Sequence, residues 1–250
     1  MRPVYRLALM LTLAGGCGTS TPDEPPTPTP TTPAPSTAAP PLAQQPSCPS
    51  VQVFGSMQRF REGDLSQTVA LADLDWSETT IALGATAGKT AEITAVDGQL
   101  WVVAPAAQGV EVQHHPQSQG GSLLAVATPA TWDEGRPIGA TDVTSILAEV
   151  ASERAGTPCA GADAVPFIVR GRAEALTWSI VGQPSGKQGS EQDVDVVIVG
   201  LWAPGARGEY VPPSLDGHLH VVAPSANVAG HLVSVRLAGG ATLHLPTGAP

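Results

Sequence analysis

Apolar and polar residues alternate with period two through Val51-Gln52-Val53-Phe54 and again through His218-Leu219-His220-Val221, so both stretches predict strands. Residues 92–103 read as a hairpin turning at Asp97-Gly98, a dipeptide that accepts the positive φ angles of a tight turn. The unbroken apolar run 123–127 predicts a buried strand. Between residues 65 and 74, Leu65, Val69 and Leu74 are compatible with a short helix. A stronger helical pattern covers 141–155, where Val143, Ile146, Leu147 and Val150 fall at i, i+3, i+4 and i+7, with Thr141 or Asp142 as N-cap and Gly156 as stop. Further strands are expected at 167–170, 173–180, 194–202, 218–223, 231–237 and 241–245, each bounded by glycine or proline. The chain is therefore predominantly β with few helices, class α+β.

Composition restricts this pattern to part of the chain. Met1 to Arg6 is short and basic, residues 7–14 are apolar, and Gly15-Gly16 precede Cys17. The apolar run is too short to span a bilayer, and the order matches a lipoprotein-type signal peptide over residues 1–16, with Ala14 where leucine is commonest. Cys17 would then carry the lipid that anchors the exported protein in a membrane, facing the periplasm or the cell surface; an ordinary signal peptide that happens to contain a cysteine would export it without that anchor. Residues 17–47, rich in proline and threonine, form an extended tether, and residues 48–250 form the folded domain. Cys48 and Cys159 could pair as a disulfide in an oxidising compartment or remain two thiols. A net charge of −10 leaves no electrostatic footprint for nucleic acid.

Three of the six histidines carry the candidate chemistry. His218 and His220 project from one face of their strand, Pro224, Asn227 and Gly230 supply a turn, and His231 opens the next alternating run. Three neutral imidazoles with an open coordination position are the usual catalytic zinc arrangement, whereas structural zinc takes four ligands, commonly cysteine, and no cysteine lies near. A His-x-His strand also occurs as a surface pair or a satisfied core pair; apolar Leu219, Val221 and Val222 argue against the surface. His114-His115, adjacent on a strand, would face opposite sides, and with His244 they read as surface or structural residues. No nucleophile elbow or phosphate-binding glycine loop is present.

The His218-Leu219-His220 strand, its short loop and the Gly230-His231 pair resemble the C-terminal part of the acetolactate decarboxylase family. A second match is Gly84 to Glu92 followed by Ile93 to Val102, which is similar to the family's glycine-led run, glutamate, strand and Asp-Gly turn. Shorter correspondences are Gly55-Ser56-Met57, Pro166-Phe167 with Gly171, and Asp216-Gly217. Together they follow the family's order over nearly all of residues 51–245. The resemblance implies mixed or antiparallel sheets in two similar halves, a Zn2+ ion held by His218, His220 and His231, and Glu92 as the active-site carboxyl. It implies decarboxylation of a small 2-hydroxy-3-keto acid, 2-acetolactate, to acetoin and carbon dioxide, and leaves a homodimer open.

Two departures bear on turnover. The family's arginine lies in a Thr-Arg-Ser segment whose counterpart is Thr177-Trp178-Ser179, putting an indole where the guanidinium would be. The family also carries a glutamate beyond a Leu-Pro pair, with no counterpart in Leu245 to Pro250. A non-catalytic zinc- or ligand-binding lipoprotein on the same scaffold therefore competes with the enzyme. So does a different three-histidine metalloenzyme such as a zinc esterase. A cupin would place a glutamate soon after the His-x-His, and a carbonic anhydrase would space the third histidine further away.

Overall fold

The computed structural model describes residues 47–116 and 118–249. The signal peptide expected over 1–16, Cys17 and the tether expected from 17 lie, up to residue 46, outside the described residues. The first half contains β1 (Val51–Phe54), α1 (Met57–Arg61), β2 (Val69–Ala70), β3 (Ile81–Thr86), β4 (Glu92–Val96), β5 (Gln99–Pro105), β6 (Val110–His114) and β7 (Gly120–Ala127). The second contains β8 (Thr131–Trp132), β9 (Arg136–Pro137), α2 (Val143–Glu153), β10 (Val165–Ile180), β11 (Lys187–Trp202), β12 (Gly217–Ala223), β13 (Val228–Leu237), β14 (Thr242–His244) and β15 (Pro246–Gly248). The strands form two main sheets of similar size, ordered β1-β7-β3-β4-β5-β6 with β2 beside β7, and β11-β12-β13-β10-β14-β9; β8 and β15 make a separate ribbon. All the named strand pairs are antiparallel, and the architecture is the strand-rich α+β class expected.

Period-two alternation decides which residues meet. On β4, Ile93 and Ala95 face outward into a core with Leu71, Leu100, Leu124 and Val126. Glu92, Thr94 and Val96 alternate with them on the opposite face, and Val96 joins the larger core that includes the second sheet. The first sheet is thus buried on both sides, which is why β3 reads Ile-Ala-Leu-Gly-Ala-Thr with no alternation and was not expected from the pattern. The second sheet closes on itself, because β10 and β11 pair along nearly their whole length and are also joined through β12 and β13. The separate strands expected at 167–170 and 173–180 are one continuous strand. Gly200 on β11 makes room for the Phe167 ring, which a Cβ would approach to 2.2 Å.

The helix expected at 141–155 is α2, and its N-cap is Asp142, which closes a capping box with Ser145. The 92–103 hairpin turns at Asp97 and Gly98, with φ of 54° and 69°. The helix expected over 65–74 shrinks to one 3-10 turn at Leu71–Asp73. Asp64 binds the backbone and hydroxyl of Ser66, and Val69–Ala70 pairs with β7 instead. A local side-chain hydrogen bond and a sheet edge together outcompete a weak apolar spacing. Cys48 and Cys159 are disulfide-bonded.

Candidate metal centre

Gly217 opens β12 where a Cβ would come within 2.4 Å of Leu147 on α2, so glycine lets the strand lie close to the helix. From there Leu219 and Val221 enter the core, and His218 and His220 emerge together on the other face. The chain reverses through Pro224–Ala226 and left-handed Asn227 (φ 51°). Gly230, expected in the turn, is instead inside β13 opposite Val221; a Cβ there would meet the Ser179 carbonyl oxygen at 2.8 Å. His231 follows directly opposite His220. Cross-strand partners share a face, so all three imidazoles converge, with ring centroids 5.0 to 5.7 Å apart. One ring nitrogen from each lies within 4.8 Å of the others.

The first sheet completes the surroundings. Thr94 Oγ1 lies 2.8 Å from His220 Nδ1, which fixes that ring and leaves Nε2 turned to the cluster. Glu92, two residues earlier on the same face of β4, accepts a 3.2 Å hydrogen bond from the Val181 N–H and has Oε2 3.6 Å from His220 Nε2. Burial pushes the Glu92 carboxyl up to about 8, against smaller opposing effects of the Val181 N–H and Lys89. Burial also depresses the imidazoles: His218 falls to about 3, helped by His231, His220 falls well below its usual value, and His231 falls too. The carboxyl and the imidazole are thus both neutral, and their contact is not an ion pair.

Neutral imidazole is the form that ligates a metal. The residues fit such an ion on a further observation: His218 Nδ1 and His220 Nε2 are buried without any hydrogen-bond partner. Each orphan of this kind costs about 1–3 kcal/mol unless something accepts its lone pair. A cation shared by the cluster would satisfy both. The chemistry of the donors, three nitrogens and no thiolate, favours borderline ions such as zinc over calcium or magnesium.

His218, His231 and Glu92 line a cavity of about 360 Å³ between the sheets, together with α1, the Gly84–Ala85 backbone, Ser179, Val181 and a Pro212-Pro213 lip. Trp178, expected where the family's guanidinium would sit, does not line it. Its ring lies against Gly189 and its Nε1 donates to Glu191 at 3.3 Å. The β10–β13 register shifts between Thr177 and Trp178, and Ser179, opposite His231, is the residue facing the cavity. Sequence reasoning missed Thr94, Ser179, Lys89 and Arg61. Only Thr94 had a signal, its i+2 spacing from Glu92.

No protein-family model matches the chain, and no curated protein matches it. Solved structures do. The alpha-acetolactate decarboxylase of Bacillus subtilis strain 168 superposes with a TM-score of 0.63 at 15% identity, covering 80% of this chain and 87% of that one. Acetolactate decarboxylase from Bacillus subtilis subspecies spizizenii gives 0.62 at 15%, over 80% and 88%. A Staphylococcus aureus protein of unknown function, similar to alpha-acetolactate decarboxylase, gives 0.63 at 14%, over 78% and 84%. The strand-rich architecture that holds this three-histidine cluster is therefore distantly similar in fold to the acetolactate decarboxylases.

Proposed function

We propose that this protein is a zinc-dependent decarboxylase converting 2-acetolactate to acetoin and carbon dioxide. One observation carries the reading: three clustered imidazoles lie beside a buried carboxyl, and His218, His231 and Glu92 line a single cavity sized for a small molecule. His218, His220 and His231 would hold the ion, whose Lewis acidity stabilises negative charge developing on substrate oxygen. Loss of carbon dioxide leaves an electron pair on the substrate, which delocalises onto the adjacent ketone oxygen. The carbon must then take up one proton to give acetoin. Glu92 is the proton carrier: it lines the cavity, burial favours its protonated form in the metal-free site, and the Val181 N–H anchors Oε1. Met57, Phe60 and Leu123 make that wall apolar. Export belongs to the same proposal, supported by the pattern of residues 1–17 and by the Cys48–Cys159 disulfide, which suits an oxidising compartment.

The test is acetoin release from acetolactate by full-length protein carrying stoichiometric zinc, alongside Glu92→Gln. Turnover is expected in the parent, with a loss of about 10²–10⁴-fold in the variant at unchanged zinc content. Zinc-loaded parent protein that releases no acetoin defeats the proposal. A ligand-binding role without turnover is favoured by one observation, that β10 presents Ser179 to the cavity and no guanidinium; it predicts full zinc occupancy with no product.

A further inference from the structure

The chain is acidic overall, with a net charge of −10, yet its free cations are not scattered. Among the described residues, Arg59, Arg136, Arg170, Arg172, Arg207 and Arg236 are each paired with carboxylates. Arg154 donates to backbone carbonyls between Cys159 and Ala162 and stacks 4.3 Å over Trp202. Arg61, Lys89 and Lys187 form no ion pair with any described residue, and two of them, Arg61 and Lys89, line the cavity that His218, His231 and Glu92 also line.

Both are placed by specific local structure. Arg61 is the last residue of α1, whose Ser56 cap and Met57 N–H to Glu209 carbonyl bond (2.7 Å) pin the helix over the cavity. Lys89 follows Gly88 in a turn where both residues have positive φ, 73° and 54°. Among the described residues, the other non-glycine residues at positive φ are Asp97, His115, Asp193 and Asn227, types that tolerate this region; lysine does not gain from it. The turn is held by the Gly88 N–H bond to the Leu65 carbonyl and by the Lys89 ammonium 5.7 Å over the Phe60 ring. A strained cation kept unpaired beside a buried cluster calls for a ligand of opposite charge.

We infer that Arg61 and Lys89 form a carboxylate-binding subsite of this cavity, supplying from α1 and the β3–β4 turn the positive charge that β10 does not bring to it. The assignment rests on the reading of the cavity as a substrate site and names its substrate end: a small 2-hydroxy acid enters with its carboxylate toward Arg61 and Lys89 and its hydroxyl toward the histidines. The apolar wall of Met57, Phe60 and Leu123 strengthens the attraction, and the two cations offset the repulsion that an acidic protein exerts on an anion.

The experiment is calorimetric titration of full-length protein, zinc-loaded and metal-free, with lactate and with neutral lactamide as probes. Wild type should bind lactate at least roughly tenfold more tightly than lactamide, a preference that weakens with added salt. The double variant Arg61→Gln/Lys89→Gln should lose about 10–100-fold in lactate affinity in both metal states, with lactamide affinity and zinc content unchanged. Glutamine is unbranched at Cβ, so position 89 carries comparable backbone strain in both proteins. Lys89→Arg should keep lactate affinity within about threefold. A double variant that holds lactate as tightly as wild type, or a wild type that does not prefer lactate to lactamide, overturns the assignment. Charge-dependent lactate binding by a protein that releases no acetoin leaves the subsite standing and removes only the decarboxylase.

Discussion

At the scale of single residues, the site is a set of groups held away from their ordinary ionisation states. Glu92 titrates at about 8 in the fold and 4.5 when exposed, so between those values the unfolded chain has released a proton that the folded one keeps. Stability contributed by this group therefore falls as pH rises through that window. The imidazoles act in the opposite direction: their folded values lie below 6.5, so acid protonates the unfolded chain first and stability falls as pH drops below 6.5. Three imidazoles outweigh one carboxyl below 6.5, and above it only Glu92 acts. Metal-free protein is expected to be most stable near pH 6.5 as far as this site is concerned, losing about 2 kcal/mol by pH 8. Urea unfolding across pH 5–9 measures this, and Glu92→Gln should abolish the alkaline decline and steepen the acid one. The same residues show how far sequence pattern reaches. His218 and His220 were recognisable from spacing alone, because period two acts within one strand. Glu92 needed a family resemblance, since nothing local distinguishes it from a hairpin surface residue.

At the scale of elements, the site depends on close approach of backbones. Gly84 on β3 lies against β7, and a Cβ there would come within 2.0 Å of the Leu123 carbonyl oxygen. Backbone cannot rotate away as a side chain can, so Gly84→Ala must part the β3–β7 pair inside the first sheet or shift its register. A loss of about 2–3 kcal/mol in unfolding free energy is expected, with weaker metal binding because β4, which carries Thr94, pairs with the displaced strand. Chemical denaturation and zinc titration check the two effects separately. Helix α2 was readable because its apolar stripe and its cap are local features. Strand β3 was not, because two-sided burial erases the alternation that marks a strand, and α1 is too short to show any period.

At the scale of the whole molecule, the disulfide joins Cys48, just before β1 of the first sheet, to Cys159, between α2 and the second sheet. Its two ends are 111 residues apart in sequence, so it removes a large loop entropy from the unfolded chain. Replacing both cysteines with serine should cost about 4 kcal/mol and lower Tm by roughly 10 °C, measured by thermal unfolding with and without reductant. Parent protein that unfolds at the same temperature in both conditions would contradict this.

The layered fold belongs to the same scale. Strand-rich class and the three histidines follow from periodicity, which is a property of neighbours along the chain. Which face of β4 meets β12, that Ser179 and not Trp178 reaches the cavity, and that Arg61 and Lys89 stand unpaired beside the histidines depend on how two sheets stack and where a register shifts. Those are contacts between residues far apart in sequence, and their energies come from burial and desolvation that exist only once the sheets have closed on each other.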